Sequence, residues 1–461
     1  MADKQIRAIR VKKLFGLYSY ELPERGSFSD AAILYGDNGV GKSTLLRLVY
    51  HLLSAADGRG HRNALFQGEF DELEVDLASG VKLVARKEEQ DDVLMLKQLI
   101  LRGKTTLAAW DFFPSSRHAR FLEDEDIIIQ IEDDGERRIV RRPSSLKKRA
   151  GSVRQGKDAY LAELQKHVPT TFILNAERRL DSDAVPDPSD EMELRKFMHF
   201  ESPKKINELV VRSREIALSQ AIGAASKWIG RKAIIGTNQG SMNVHTVYID
   251  VLRHVMSPAG SSLDKPAAAA VTSLENKLKH IEDKMDEHAQ YELATNLSTA
   301  EFRKALRSRG KNKGPLAAGL LKPYIESLEK RLEAVEPVYR VIDTFVKTVN
   351  AFLRDKELRY KLSQGFGIWN RLGNQLSPAQ LSSGEQQLLL LFCYVLTARD
   401  DPSVFMIDEP EISLNVKWQR QLVKSLLLIT SDSEIQFVFA SHSMELLTQH
   451  ENRVVQLVNR S

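Results

Sequence analysis

The sequence predicts an α/β protein with a helical segment inserted into it, and three observations carry that reading. An apolar run, Ala31–Tyr35, leads through Gly36-Asp37-Asn38-Gly39-Val40-Gly41-Lys42-Ser43-Thr44 into an apolar helix pattern from Leu45 to Leu53: a strand, a glycine loop and a helix in succession. Near the other end, Ser403–Asp408 and Ile435–Ala440 are apolar runs that break off at polar residues, as buried parallel strands do where they reach a sheet edge. Between them, from about residue 206 to 353, the apolar spacing turns to threes and fours.

At 461 residues the chain can hold two or three cores, and 42% apolar with 28% charged residues is the balance of a folded, water-soluble chain. Lys plus Arg number 66 against 62 for Asp plus Glu, so charge alone announces no nucleic-acid partner; local clustering would have to. The single cysteine, Cys393, rules out an internal disulfide and lies in the apolar run Leu388–Val395, where core filling is expected. With no signal-peptide core and no apolar run as long as a membrane span, a cytoplasmic protein without membrane contact is expected.

Residues 5–22 alternate around Gly16 and predict two strands, expected in the same sheet as Ala31–Tyr35. After the loop helix, Phe70–Leu77, Val81–Arg86, Val93–Leu101 and Ile127–Ile131 predict an antiparallel sheet beside it. Residues 137–157 hold nine Lys or Arg and no acid, broken by Pro143 and Gly151, and read as a mobile basic loop. Thr171–Leu174 adds a strand, followed by Asn175–Arg179 and the acidic, proline-containing stretch 181–190. That stretch marks a boundary, giving 1–190 as the N-terminal half of one domain, 191–365 as the helical insertion and 366–461 as the C-terminal half.

In the insertion, Ile206–Ile229 and Val247–Val255 predict helices before a Pro/Gly/Ser linker at 258–265. Val271, Leu274, Leu278, Ile281 and Met285 form one heptad-like seam, and Leu321, Ile325, Leu328, Leu332, Val335, Tyr339, Ile342, Val346, Val349 and Leu353 a longer one. Two readings stay open: a protruding antiparallel hairpin with the basic, glycine-broken Arg303–Gly314 in its tip, or two helices of an ordinary bundle. Pro337 is expected to bend the second helix.

The spacing G-x-x-x-x-G-K-S lets backbone N–H groups curl round a polyphosphate while the new helix aims its positive end at it. Gly36, Asn38, Gly39, Gly41, Lys42, Ser43 and Thr44 are thus the expected nucleotide-binding residues, with a nucleoside triphosphate and Mg²⁺ as ligands. Lys42 would reach the β and γ phosphates and Ser43 the metal. Asp408 is the expected second metal ligand, and Glu409 beside it the carboxylate that polarises the attacking water. His442, just after Ile435–Ala440, is expected at the γ phosphate; the alternative is a satisfied loop histidine. Leu381-Ser382-Ser383-Gly384-Glu385-Gln386-Gln387 puts a hydroxyl and free backbone donors at a helix N-terminus, which makes an anion site or merely a cap.

Together these stretches resemble the Walker A, signature, Walker B and switch-histidine segments of ATP-binding cassette (ABC) ATPases, in their SMC/RecF-like branch, over roughly residues 1–90 and 375–461. The resemblance implies an ABC-type ATPase head, a mixed sheet with helices and an antiparallel β subdomain, carrying an inserted α-helical, short coiled-coil domain. It implies ATP hydrolysis with Glu409, His442 and Lys42 as catalytic residues. It also implies a homo-oligomer whose heads sandwich ATP, with Ser382 and Gly384 meeting the γ phosphate bound by another protomer. Ser383 stands where the family's signature usually has glycine and Glu385 where transporters have glutamine. No residue is assigned to the family's glutamine loop.

Three function classes follow from the resemblance. Transport ATPases hold P-loop and signature much closer together than Gly41 and Gly384 are here, which argues against transport. Chromosome and repair ATPases fit the split site, and the basic stretches would then bind DNA directly. Antiviral ATPases fit the modest length and the wording of SSGEQQLLL and DEPEISLN; among them the sequence resembles the ATPase subunits of PARIS systems, with Septu-type ATPases second. That likeness implies a separate toprim-type nuclease effector, since few residues follow His442, and an acidic viral trigger protein.

Overall fold

The computed structural model describes residues 3–90, 93–114, 127–131, 137–141, 154–175, 180–183, 203–241, 249, 268–307, 313–412 and 414–460. Two compact units share them: Met1–Ile206 with Ala398–Ser461, and Asn207–Thr397.

The first unit opens with β1 (Ile6–Leu14), β2 (Tyr18–Leu22), β3 (Ala31–Tyr35), α1 (Lys42–Leu53) and α2 (His61–Gln67). Next come β4 (Glu72–Leu77), β5 (Val81–Gln90), β6 (Val93–Arg102), β7 (Thr105–Phe112), β8 (Ile127–Ile131), β9 (Arg137–Arg141) and β10 (Arg154–Gln155). Then follow α3 (Lys157–His167), β11 (Thr170–Leu174) and β12 (Leu180–Ser182). The second unit holds α4 (Pro203–Ser241), α5 (Ala268–Ala289), α6 (Ala300–Leu306) and α7 (Lys313–Phe352). It ends with β13 (Lys356–Lys361), β14 (Gly365–Asn370), β15 (Gln375–Leu376) and α8 (Ser383–Thr397). The chain then re-enters the first unit with β16 (Ser403–Asp408), α9 (Val416–Ile429), β17 (Ile435–Ala440), α10 (Met444–Gln449) and β18 (Val454–Gln456).

The mixed α/β class expected from the sequence is the class observed. Two sheets dominate the first unit. One runs in the order β12-β11-β16-β17-β3-β18, parallel from β11 to β18 with β12 antiparallel at its edge. Every residue of β16 and β17 is buried, which is why both read as unbroken apolar runs. The other sheet is built from β10-β7-β6-β5-β4-β1-β2 and is antiparallel except at β10.

That arrangement corrects two expectations. β1 and β2 belong to the antiparallel sheet and not to the sheet of β3. Their sequence gives the reason: Ile6, Ile9 and Val11 are buried while Arg7, Lys12 and Lys13 face solvent, the half-wet pattern that an interior parallel strand excludes. Among the described residues, Ile127–Ile131 pairs only with Arg137–Arg141, as a two-stranded sheet of its own. Residues 137–141 are therefore strand and not loop, as are 154–155; of the expected basic loop, 142–153 lie outside the described residues. The boundary stretch at 184–190, the helix Val247–Val255 apart from residue 249, and the 258–265 linker also lie outside them.

The two sheets are joined by one buried amide. Gln436 on β17 is fully buried; its Oε1 accepts from Ile6 N (2.8 Å), and its Nε2 donates to Ile6 O (2.9 Å) and Ser29 O (2.9 Å). It pairs backbone groups at the start of β1 and in the segment just before β3.

In the second unit the short heptad seam and the first part of the long one, as far as Leu332, share one core, with Leu278 and Ile281 of α5 packed among Leu306, Ala318, Ile325 and Leu328. The helices run parallel and not as an antiparallel hairpin. Lys277 pairs with Glu329 (2.9 Å) and, one heptad on in both helices, Lys284 approaches Glu336 (3.7 Å). The short α6 brings the chain back along α5, pinned by Arg303–Glu282 (2.9 Å) and Arg307–Glu275 (2.8 Å). Arg303–Leu306 is thus a core-packed helix and not a tip, and α7 is continuous through Pro323 and Pro337. At Gly236 of α4 a Cβ would stand 2.8 Å from the backbone oxygen of Ala334, so only glycine permits α4 and α7 to approach this closely. β13, β14 and β15 form a three-stranded antiparallel sheet ahead of α8.

Replacing Gln436 with Leu keeps the volume and strands three backbone groups. We expect Gln436→Leu to lower stability by about 3 kcal/mol, read as a lower urea midpoint at unchanged slope. An unchanged midpoint would mean that Ile6 and Ser29 find other partners.

Candidate functional site

The residues singled out in the first unit converge at the carboxyl ends of β3, β17 and β16, with β17 lying between the other two. The loop from β3 to α1 turns on Gly39 (φ 86°) and Gly41 (φ 93°). At Gly41 a Cβ would also come within 2.5 Å of Leu14, so both the backbone angle and the space require glycine. Tyr20 braces the loop from β2 by donating to Val40 O (2.9 Å), and Asn38 and Gly39 are exposed at its crest.

Lys42 is buried, only 5% exposed, and its ammonium donates to Gly36 O (2.8 Å) and Asp37 O (3.0 Å). A lysine whose charge is met by the carbonyls of its own loop holds that loop curled round the space where anionic oxygens would sit. One residue on, the Ser43 hydroxyl donates to Asp408 Oδ1 at 2.7 Å. Asp408 closes β16 and is 7% exposed; burial pushes its carboxyl up from the ordinary range despite Ser43 and Arg47. Two hard oxygens 2.7 Å apart match the edge of a Mg²⁺ octahedron, about 2.9 Å for ligands at 2.0–2.1 Å, so Ser43 and Asp408 fit that ion. Thr44, half-buried in the first turn of α1, completes the loop segment.

Glu409 follows with its backbone at φ 49°, a left-handed conformation unusual for glutamate, fixed by its N–H donating to Ala440 O (2.8 Å). That strain turns the side chain towards the loop after β17, where His442 Nδ1 lies 2.6 Å from Glu409 Oε2. Burial, and then Glu411 beside it, push the Glu409 carboxyl up to about 7. His442 itself is more than half exposed.

Glu411 was not singled out in the sequence. Only 8% exposed, it accepts on Oε1 from Ser441 Oγ (2.7 Å), His442 N (3.0 Å) and Ser443 N (3.1 Å). Gln419 of α9 joins the same network: its Nε2 donates to Leu414 O (2.9 Å), and its Oε1 accepts from Ser443 Oγ (3.0 Å). The readable signal was a second glutamate after the Asp408-Glu409-Pro410 corner, which a solvated turn would not need. Ligand atoms of Glu409, Glu411 and His442 lie within 4.8 Å of one another, close enough to share an ion as well as hydrogen bonds.

A second overlooked cluster sits at the far end of α1. Asp183 accepts from Ser54 Oγ and from Ala56 N (3.1 Å) and lies 3.1 Å from His61 Nε2, while His61 Nδ1 meets His51 Nδ1 at 2.9 Å. Burial, then His61, push His51 down to about 3, so it is neutral. Asp183, which burial would raise, is held at about 2 by His61 and Ser54. The cluster fastens the end of β12 to the loop helix.

Ser382 and Gly384 lie in the second unit, at the start of α8. Glu385 folds back so that its Oε2 accepts from Ser382 N (2.7 Å) and Ser382 Oγ (2.8 Å), a capping box, and Lys356 Nζ stands 2.6 Å from the same oxygen. Burial would raise Glu385; Lys356 and Ser382 outweigh it and hold the carboxyl below its usual range. The cap reading of this segment therefore describes Ser382 as it stands. Cys393, on the same helix, is buried, and burial pushes its thiol up.

A protein-family model described as "AAA domain, putative AbiEii toxin, Type IV TA system" matches residues 268–448, which run from α5 nearly to the end of α10. The phosphonates import ATP-binding protein PhnC of Lactobacillus delbrueckii subsp. bulgaricus is 31% identical over 24% of this chain and 42% of its own length. The molybdenum import ATP-binding protein ModC of Escherichia coli is 33% identical over 18% of this chain and 22% of its own. This chain thus spans less than half the length of those curated relatives. A solved Smc head domain of Pyrococcus furiosus, with an extended coiled coil and bound to the C-terminal domain of ScpA, aligns over 96% of this chain and 91% of its own at 12% identity. The TM-score is 0.33.

The carboxyl of Glu409 gives a stability test that needs no ligand. Raised from 4.5 to about 7, it binds its proton more tightly folded than unfolded, so the fold loses stability as pH climbs through that window. Glu409→Gln removes the effect. We expect the variant to gain on wild type by about 1–3 kcal/mol between pH 5 and pH 8, measured by paired chemical melts. A constant difference across that range would refute the raised carboxyl.

Proposed function

We propose that this chain is an ATPase of the ABC type, which binds ATP with Mg²⁺ on the 36–44 loop and hydrolyses it at Glu409. The observation that supports this best is the pairing of Ser43 with Asp408 at 2.7 Å beside that of Glu409 with His442 at 2.6 Å, drawn from three adjoining parallel strands. The similarity to ATP-binding proteins of importers supports the same chemistry. Backbone N–H groups of the loop and Lys42 would hold the β and γ phosphates, and Ser43 with Asp408 the Mg²⁺ that offsets their charge. Glu409 takes a proton from a water whose oxygen bonds to the γ phosphorus; the bond from that phosphorus to the β–γ bridging oxygen breaks, leaving ADP and phosphate. His442 orients the γ phosphate.

Two heads associate around ATP in this reading, and Ser382 and Gly384 of one protomer meet the γ phosphate on the other. The cycle of association and release then controls a separate nuclease effector in antiphage defence. The wording of the 381–387 and 408–415 segments supports that role, as does the description of the matching family as a toxin of a toxin–antitoxin system. A repair-type ATPase would instead show hydrolysis stimulated by duplex DNA, with the basic residues between 137 and 157 as its contact.

Lys42→Ala is expected to weaken binding of a fluorescent ATP analogue at least tenfold with a small loss of stability, since the lysine also holds Gly36 and Asp37. Glu409→Gln is expected to bind as wild type does and to hydrolyse at least a hundredfold more slowly in a single turnover. Equal rates would remove Glu409 from the mechanism. Head pairing has its own test: Lys42→Ala and Ser382→Arg protomers, each inactive alone, are expected to regain part of the ATPase rate when mixed, because one interface of a mixed pair keeps both groups. No recovery at any ratio would mean that loop and signature act within one chain or not at all.

A further inference from the structure

We infer that Glu411 is a positioning residue that joins the turn after β16 to the loop after β17, so that Glu409 and His442 are held as one unit against the γ phosphate. The inference rests on the ATPase reading above.

The geometry runs through a single oxygen. Glu411 Oε1 takes hydrogen bonds from the Ser441 hydroxyl, the His442 N–H and the Ser443 N–H, so one carboxylate gathers three successive residues of the 441–443 loop. One acceptor oxygen that meets three donors ties all three residues to a single point. Glu411 itself is fixed close to Glu409 by the turn they share, in which Ile412 N donates to Glu409 O (3.1 Å) and Leu414 N to Glu411 O (3.0 Å). Glu409 N is in turn bonded to Ala440 O, the last residue of β17.

The loop after β17 has other ties, Ser441 N donating to Leu34 O (3.2 Å) and Ser443 N also to Ser441 Oγ (3.0 Å), but neither of these bonds reaches His442. Ser443 gives its hydroxyl to Gln419 and caps the short α10 by accepting from Leu446 N (3.4 Å), and the His442 ring is more than half exposed. Without Glu411, Ser441 Oγ and the His442 and Ser443 N–H groups would lose a common acceptor in a largely buried place. The ring of His442 would then no longer be held at 2.6 Å from Glu409. A shift of about 1 Å at a reacting carboxylate or its partner is enough to slow chemistry a hundredfold while leaving the phosphate cradle, which belongs to the 36–44 loop, intact.

The role assigned is that of an acceptor and not of a charge, and this makes it testable with two variants of the full-length protein. Glutamine keeps an oxygen where Oε1 sits and can still gather the three donors; alanine cannot. We expect Glu411→Ala to lower kcat about tenfold or more, with KM and the dissociation constant of an ATP analogue within about twofold of wild type. Glu411→Gln should stay within about threefold of wild type in kcat. In a His442→Ala background, adding Glu411→Ala should cost little more, since the group it positions is gone.

Chemical melts of each variant separate this from a folding defect: if Glu411→Ala unfolds, Glu411→Gln and the His442→Ala cycle with Glu411→Gln still decide. A Glu411→Gln variant as slow as Glu411→Ala would overturn the inference, because the carboxylate would then act by its charge, as a proton carrier or metal ligand. A Glu411→Ala variant at the wild-type rate would overturn it alone, while the ATPase reading stood. Wild-type protein without ATPase activity would overturn both.

Discussion

The pairing of β3 with β17 is the constraint on which the rest of the first unit depends. Residues 31–34 hydrogen-bond in parallel with residues 437–440, across nearly the whole length of the chain. Parallel strands cannot be joined by a tight turn, and here the connection includes an antiparallel sheet and an entire helical unit. What makes so distant a pairing specific is burial on both faces. Ile33, Leu34, Phe437, Val438 and Phe439 are all at most 1% exposed, so a slip by one residue would put polar ends into the core. Gln436 adds a polar lock in the residue before that register begins. It can satisfy Ile6 and Ser29 only when β17 lies where it does, so a misplaced strand would strand an amide inside the protein.

From that pairing the site follows, together with its tension. Three acidic side chains, Asp408, Glu409 and Glu411, crowd one sheet edge, and two of them are less than a tenth exposed. Glu409 is further held in a left-handed backbone conformation that costs on the order of 1 kcal/mol or more. The fold tolerates this by giving two of the carboxylates their own donors, Ser43 for Asp408 and the 441–443 loop for Glu411, while the His442 ring lies 2.6 Å from Glu409. Burial, and then Glu411 beside it, raise the Glu409 carboxyl to about 7. A carboxylate left with unspent basicity near pH 7 is what a water-activating group requires.

The legibility of these features in the sequence follows their range along the chain. The loop at 36–44, the strands at 403–408 and 435–440 and the helix after 383 are written in consecutive residues, and each was readable because local spacing determines it. Which sheet an alternating strand joins is not local. The pattern of β1 said half-buried, yet nothing in residues 6–14 names β4 as its neighbour in place of β3. The orientation of the two heptad seams was hidden for the same reason: a seam says that a helix packs and not in which direction its partner runs. Here the seven-residue α6 decides, since it carries the chain back along α5 before α7 begins. Residues 356–376 were missed because their strands are two to six residues long and lie beside a long helical pattern.

The start of α8 shows how a departure from a familiar wording can be absorbed. A glutamate at 385 brings a charge into a largely buried helix turn where an amide would be neutral. The chain answers with Lys356, from the strand β13 that the sequence pattern did not reveal, and with the hydroxyl and N–H of Ser382. The result is a self-sufficient N-terminus whose serine is occupied. For Ser382 to offer its proton to a phosphate, its hydroxyl would have to release Glu385. That carboxylate would keep Lys356 and the Ser382 N–H, so the exchange costs one hydrogen bond of about 1 kcal/mol and is repaid by a bond to a fuller negative charge. A glutamine at the same position would also cap Ser382, but Lys356 would then lie without its carboxylate. The glutamate and the lysine therefore make sense as a pair, each meeting the other's charge at this helix N-terminus.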